Sequence, residues 1–182
     1  MRVPSFHAFR AGRVSVAVVL KQHWSWGTNT TAAASGQIGL GDVTNRSSPV
    51  QVGALTNWSS ISGGNPTFAT AIKTDGTLWS WGSNSLGELG LGNVTARSSP
   101  VQVGALTAWS KVSSGFQCTV AIKTDGTLWS WGRNNSGGLG LGDATNRSSP
   151  VQVGALTTWI SVSLCGGVAN RSSAGAMLAL RS

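Results

Sequence analysis

The octapeptide DGTLWSWG stands at residues 75–82 and returns unchanged at 125–132, and a worn copy, WSWG, stands at 24–27. The tryptophans follow the same pattern. Six of the nine lie in these three copies, and the other three, Trp58, Trp109 and Trp159, follow the three copies of PVQVGALT at one fixed offset. A chain that confines its largest apolar side chains to recurrent positions is copying one packing unit, so it folds as a repeat array. Pro49, Pro100 and Pro150 set the period, with spacings of 51 and 50 residues. The WSWG copies are 50 residues apart in the second interval and 55 in the first. The extra length falls at residues 28–37, where a loop tolerates it.

Within a unit the local pattern is strand after strand. In the copy at residues 110–154, a short strand near 111–113 leads into 118–123, where Cys118, Val120 and Ile122 share one face. Asp125-Gly126 follows. Asp-Gly between two apolar strands predicts a two-residue hairpin in which both central residues take positive φ. The strand at 127–131 then points Thr127, Trp129 and Trp131 one way and Leu128 and Ser130 the other. The glycine-rich segment 132–142 permits tight reversal. It has no Lys-Ser/Thr ending and no amphipathic helix after it, so it is not a nucleotide loop. RSSPVQVGALT comes last, its proline suited to the start of an edge strand, and Trp159 closes the unit.

Four short antiparallel strands cannot bury both of their faces alone, but units stacked radially, tryptophan against the next sheet, can. The expected fold is all-β: an incomplete β-propeller of about three four-stranded antiparallel blades with ragged terminal segments. Trp26, Trp58, Trp79, Trp81, Trp109, Trp129, Trp131 and Trp159 are expected to pack between blades, each hiding ~150–250 Å².

The run from the strand at Val112 through DGTLWSWGRNNSGGLGLGD to the proline of SSPVQV resembles the repeat of the regulator of chromosome condensation family. The resemblance covers residues 24–163 and rests on the combination of Asp-Gly, Trp-Gly-x-Asn, Leu-Gly-Leu-Gly and a later Pro-x-x-Val. It implies a propeller, seven-bladed in that family, for which about fifty residues per blade would require roughly 350 residues. The chain has 182. Where family repeats carry Gly-x-x-His-Thr, this chain has Gly115-Phe116-Gln117-Cys118-Thr119, and Phe68 takes the histidine place in the preceding unit. Both ends read as interrupted units. Residues 1–23 form a basic N-terminal segment, with 14–20 read as a strand of a damaged blade, and 164–182 an irregular C-terminal tail. A fragment, a decayed copy, and a half-ring that pairs with another chain all fit such ends. Open blade edges would favour self-association.

The formal net charge is +8. Residues 1–41 and 161–182 hold Arg2, Arg10, Arg13, Lys21, Arg171 and Arg181 without an acid, whereas the array between them sets seven basic residues against five acidic ones. A phosphate-binding surface carries its cations on the folded face, so this distribution argues against nucleic acid as the partner. Arg46, Arg97 and Arg147 share one offset and are expected along a single rim, where they would grip an acidic partner surface. Asp42 and Asp143 lie four residues upstream of Arg46 and Arg147, and Asn93 breaks that pattern before Arg97.

For catalysis the chain offers little. His7 and His23 lie outside the regular array, and none of the five acids pairs at a recurring spacing. No Gly-x-Ser-x-Gly and no metal-spaced His/Cys/Asp cluster occurs, so no enzyme, cofactor or metal is expected. Cys118 and Cys165 read as buried free thiols. The apolar run at 14–20 is shorter than the ~20 residues a spanning helix needs, and no small-x-small cleavage site follows it. Nothing in the sequence assigns a compartment. The functional expectation is a non-catalytic scaffold that binds an unknown protein through one loop rim. The resemblance alone adds a guanine-nucleotide exchange factor for a small GTPase or a chromatin binder as the alternative. A gene fragment without independent function is the third reading.

Overall fold

A computed structural model describes residues 21–29, 36–54, 57–65, 67–164 and 177–181. β1 (Trp24–Gly27) pairs with β2 (Arg46–Gln51) in a two-stranded sheet. β3 (Trp58–Gly64), β4 (Phe68–Lys73), β5 (Leu78–Gly82) and β6 (Arg97–Gln102) form a four-stranded sheet in chain order. β7 (Trp109–Ser114), β8 (Cys118–Lys123), β9 (Leu128–Gly132) and β10 (Arg147–Gln152) repeat it. β11 (Trp159–Leu164) then pairs with β12 (Met177–Arg181). All pairings are antiparallel.

The architecture is the expected all-β propeller type, with a different division of strands. Among the described residues, two four-stranded blades are flanked by two two-stranded sheets, twelve strands in all, which is the content of the three four-stranded blades expected. The first half-sheet has the third and fourth strands of a blade, and the last has the first and second. Trp58, Trp109 and Trp159 open β3, β7 and β11; Trp159 therefore begins the next blade and does not close the preceding unit. β12 is a strand in the stretch read as an irregular tail. The strand expected at 14–20, His7 and Cys165 lie outside the described residues.

The blades stack face to face. Ile72, Leu78 and Val103 of the first complete blade pack on Trp109, Ala121 and Trp131 of the second. Val120, Ile122 and Leu128 pack in turn on Trp159, Val162, Leu164 and Ala179. Sheets on both sides explain why β4 is buried along its whole length and β8 along all but its last residue, since a strand covered on both faces has no solvent side to alternate toward. The first strands β3, β7 and β11 contact one another and form the inner side. β6 and β10 are the outer edges. Pro100 and Pro150 sit where the ladders to β5 and β9 shift register, so a residue without an N–H interrupts nothing there.

The β4–β5 and β8–β9 turns correct the hairpin expectation. Only their glycines are left-handed: Gly76 and Gly126 have φ 77°, while Asp75 and Asp125 stay at negative φ. Gly126 N donates to Lys123 O at 3.0 Å, and Lys123 N donates to Thr127 O at 3.0 Å. This is a three-residue loop closed by a left-handed glycine, the next most common hairpin after the two-residue forms. Asp125 Oδ1 accepts from both the N–H (3.0 Å) and the hydroxyl (2.7 Å) of Thr127, which ties the aspartate into the turn.

Phe68 and Cys118, at the family's histidine place, are both buried, and Cys118 is a free thiol. Burial pushes this thiol up from 9.0 to about 11, against a smaller opposing pull from Arg133. Between those values an unfolded chain sheds the proton while the native chain keeps it, so the contribution is full below pH 9 and declines toward pH 11. Urea midpoints taken across this window are expected to fall further for the wild type than for Cys118→Ala. Parallel curves would contradict the shift.

Candidate partner-binding rim

One end of the stack carries the long loops between third and fourth strands, and the other carries the Asp-Gly turns. The long loops are stapled down by two side chains of the WSWGxN motif. Asn134 is fully buried: its Nδ2 donates to Asp143 O at 2.9 Å, and its Oδ1 accepts from Leu139 N at 2.9 Å. Ser130 Oγ donates to Leu139 O at 2.8 Å. Asn84 with Ser80, and Asn29 with Ser25, repeat the arrangement. The serine of WSWG and the asparagine of Trp-Gly-x-Asn recur at identical spacing in all three copies, and the fold shows what they do: they seat the loop that follows.

The loops also reach sideways. Trp131 and Trp81 are wholly buried, and their Nε1 atoms donate to carbonyls of the preceding unit's loop, Glu88 O at 3.0 Å and Gln37 O at 2.9 Å. Trp58 and Trp109 are buried beside them. Trp79 and Trp129 are half-buried, each donating to a threonine hydroxyl at 2.8 Å. Lys73 Nζ and Lys123 Nζ lie 3.5 and 3.7 Å from their ring centroids, a cation–π arrangement. Burial lowers both ammonium groups below the usual lysine value, partly offset by Asp75 and Asp125. Trp159 packs, half-buried, on the second complete blade.

Trp26 departs from its expected place between blades: it is 59% exposed, and Trp24 beside it is 47% exposed. The reason is positional. Trp81 and Trp131 are covered by the loop of a preceding unit, and no described residue stands in that place for β1.

Arg46, Arg97 and Arg147 each begin a fourth strand, opposite Gly27, Gly82 and Gly132. They therefore occupy equivalent places at the long-loop end. Arg46 and Arg147 are tied to Asp42 and Asp143. Those carboxyls are held below the usual range, first by the backbone N–H of Thr44 or Thr145 and then by the arginine. Both pairs face solvent, where an ion pair adds little to stability. At Arg97 the aspartate is replaced by Asn93, and among the described residues its guanidinium has no ion pair. Val94, three residues upstream, is 61% exposed.

Among the described residues, no three His, Cys, Asp or Glu side chains gather where they could hold a metal. No helix among them is long and apolar enough to cross a membrane. His23 meets Trp58 edge-on and Trp81 at a tilt, with centroids 6.0 and 5.3 Å away, and burial lowers its pKa.

Antiparallel blades that clasp each other's tryptophans through a glycine-rich loop define a propeller-type repeat protein. Two models of the regulator of chromosome condensation (RCC1) repeat match, one at residues 75–122 and 125–167 and the other at 58–88 and 109–137. The chain belongs to the RCC1 repeat family. It is 43% identical over 70 residues to the ultraviolet-B receptor UVR8 of Arabidopsis thaliana, covering 37% of this chain and 16% of that protein. Over 84 residues it is 37% identical to protein RCC2 of Mus musculus, covering 44% and 15%. It thus spans less than a fifth of these relatives' lengths. Among solved structures, Prp20p from Saccharomyces cerevisiae superposes with a TM-score of 0.69 at 24% identity, covering 80% of this chain and 38% of its own. Human WBSCR16 gives 0.61 at 23% identity, covering 74% and 36%. At these identities the superpositions speak for the fold alone.

Proposed function

We propose that the chain is a non-catalytic repeat scaffold that binds the acidic surface of another protein through its long-loop rim. The observation that carries this reading is that Arg46, Arg97 and Arg147 stand at equivalent positions of that rim, Arg97 having no carboxylate partner among the described residues. A guanidinium fork matches a carboxylate in a bidentate pair. An unpaired arginine beside an exposed valine is a better anchor than one already neutralised, because no internal pair has to break first. Support by analogy comes from Prp20p, whose structure is described together with its binding to Gsp1p and histones. A relative from Canis lupus familiaris is named as a GTPase regulator.

The rim is tested by capturing partners with the wild type and with the Arg46→Glu, Arg97→Glu, Arg147→Glu triple variant. Arg97→Glu alone is expected to leave folding stability within about 0.5 kcal/mol and to weaken the captured complex by about tenfold or more. A partner held equally well by the triple variant would place the interface elsewhere. A nucleotide-release assay over a panel of small GTPases checks the non-catalytic part of the reading: acceleration of release would replace it with the exchange-factor reading.

A further inference from the structure

Where the sheet of β1 and β2 meets the first four-stranded blade, the two leave a hollow of about 470 Å³ between them. We propose that this hollow binds a small carboxylic acid with an apolar body, held as its carboxylate by Lys73. The walls are apolar: Leu40, Val50, Val52, Trp58, Trp79 and Pro100. The volume lies within the roughly 300–1,000 Å³ of small-molecule sites, which combine such walls with a few placed polar groups. The space is a product of the repeat. At the next junction Val103, Trp109, Trp129 and Pro150 line a second hollow of about 280 Å³, and they hold the repeat positions of Val52, Trp58, Trp79 and Pro100. Residues 67–164, which surround that second hollow, are all described, so the space is left by the packing of one blade on the next.

Charge sets the first hollow apart. Its described lining holds two cations, Arg46 and Lys73, and no carboxylate; the described lining of the second holds no charged residue. Arg46 is already tied to Asp42. Lys73 is not tied to any acid: it is 6% exposed, and among the described residues its ammonium donates no hydrogen bond and enters no ion pair. It lies instead over indole faces, with Nζ 3.5 Å from the Trp79 ring centroid and 5.1 Å from that of Trp58. Asp75 acts on it through charge alone. The Oδ1 of that aspartate is engaged elsewhere, accepting from the N–H of Thr77 at 3.0 Å and from its hydroxyl at 2.7 Å. A ring face attracts a cation but is a poor acceptor for the three N–H groups of a buried ammonium. A ligand carboxylate supplies that acceptor in a charge-assisted bond, while its apolar body lies against Val52, Pro100 and the indoles.

The test uses the full chain with phenylacetate as the probe and phenylacetamide as a molecule of the same shape without the charge. Calorimetry is expected to give a Kd below about 1 mM for the acid, and binding weaker by about tenfold or more for the amide. With the tryptophans labelled at Nε1, the indole signals of Trp58 and Trp79, assigned through Trp58→Phe and Trp79→Phe, are expected to shift as the acid is added. Lys73→Met is expected to bring the acid down to the level of the amide, and Lys123→Met to leave its affinity unchanged. The comparison of acid with amide is made on the wild type, so it decides even where Lys73→Met fails to fold. Equal affinity for acid and amide overturns the proposal, as does the lack of saturable binding of the acid up to about 10 mM. So do shifts confined to indoles other than these two, or a folded Lys73→Met that binds the acid as the wild type does.

Discussion

Trp131→Ala is expected to lower the unfolding free energy by about 3–5 kcal/mol. The indole is wholly buried between two blades, in one cluster with Ile72, Leu78 and Val103 of the neighbouring sheet. Its N–H is received by Glu88 O at 3.0 Å. That carbonyl also accepts from Thr119 Oγ1 at 3.1 Å, so truncation leaves it one partner and the loss is mostly packing. The seat is shaped for the ring: a Cβ on Gly90 would lie 2.7 Å from Trp131 Nε1. Collapse around the void is therefore opposed by two sheets whose strands are hydrogen-bonded on either side. Trp81→Ala should behave alike at the preceding junction, where Gln37 O and Gly39 play the same parts. Trp26→Ala is the control: the same residue type in the same motif, but 59% exposed, so its cost is expected within about 0.5 kcal/mol. Urea denaturation of the three variants checks the series. Equal losses at Trp26 and Trp131 would mean that the motif, and not the blade junction, sets the energy.

The tryptophan series also marks how far the sequence could be read. Placing Trp81 and Trp131 between sheets required only their period, because a repeat that cannot bury its own face must bury it on its neighbour. Trp26 carries the same period, and its exposure depends on whether a preceding loop is there, which no local pattern in WSWG records. The strand positions of the best unit were legible from alternation, as at Cys118, Val120 and Ile122. The turn between them was not: Asp-Gly serves both a two-residue hairpin and a longer loop, and the hydrogen bond from Lys123 N to Thr127 O decides between them. Of the candidate rim, the common offset of the arginines was readable, as was the missing aspartate at Asn93. The seating of the loops by Asn84 and Asn134 was not, since a buried asparagine in a chain rich in Ser, Thr and Asn looks like any other polar loop residue.

The misread turn leads to the second large effect. Gly126→Ala is expected to cost about 2–4 kcal/mol, from two separable causes. Gly126 has φ 77°, where an L residue loses about 1–2 kcal/mol. A Cβ there would also lie 2.0 Å from Thr157 O and 2.7 Å from Thr157 C, both backbone atoms that no rotamer change can move aside. Thr157 cannot retreat freely, because Gly126 O accepts from Trp159 N at 3.2 Å and holds the segment that opens β11. Displacing it would disturb Trp159, which packs on Val120, Ile122 and Leu128. Gly154 isolates the conformational part: its φ is 62°, and nothing lies within 4 Å of an added Cβ. Gly154→Ala should therefore cost only about 1–2 kcal/mol. Asparagine separates the causes further, since it tolerates the left-handed region better than alanine. Gly154→Asn should recover much of the loss seen with alanine there, whereas Gly126→Asn should recover little, because its Cβ meets the same carbonyl. Thermal melts of the four variants give the answer, and full recovery by asparagine at both positions would show that Thr157 yields and that the close approach at Gly126 carries no energy.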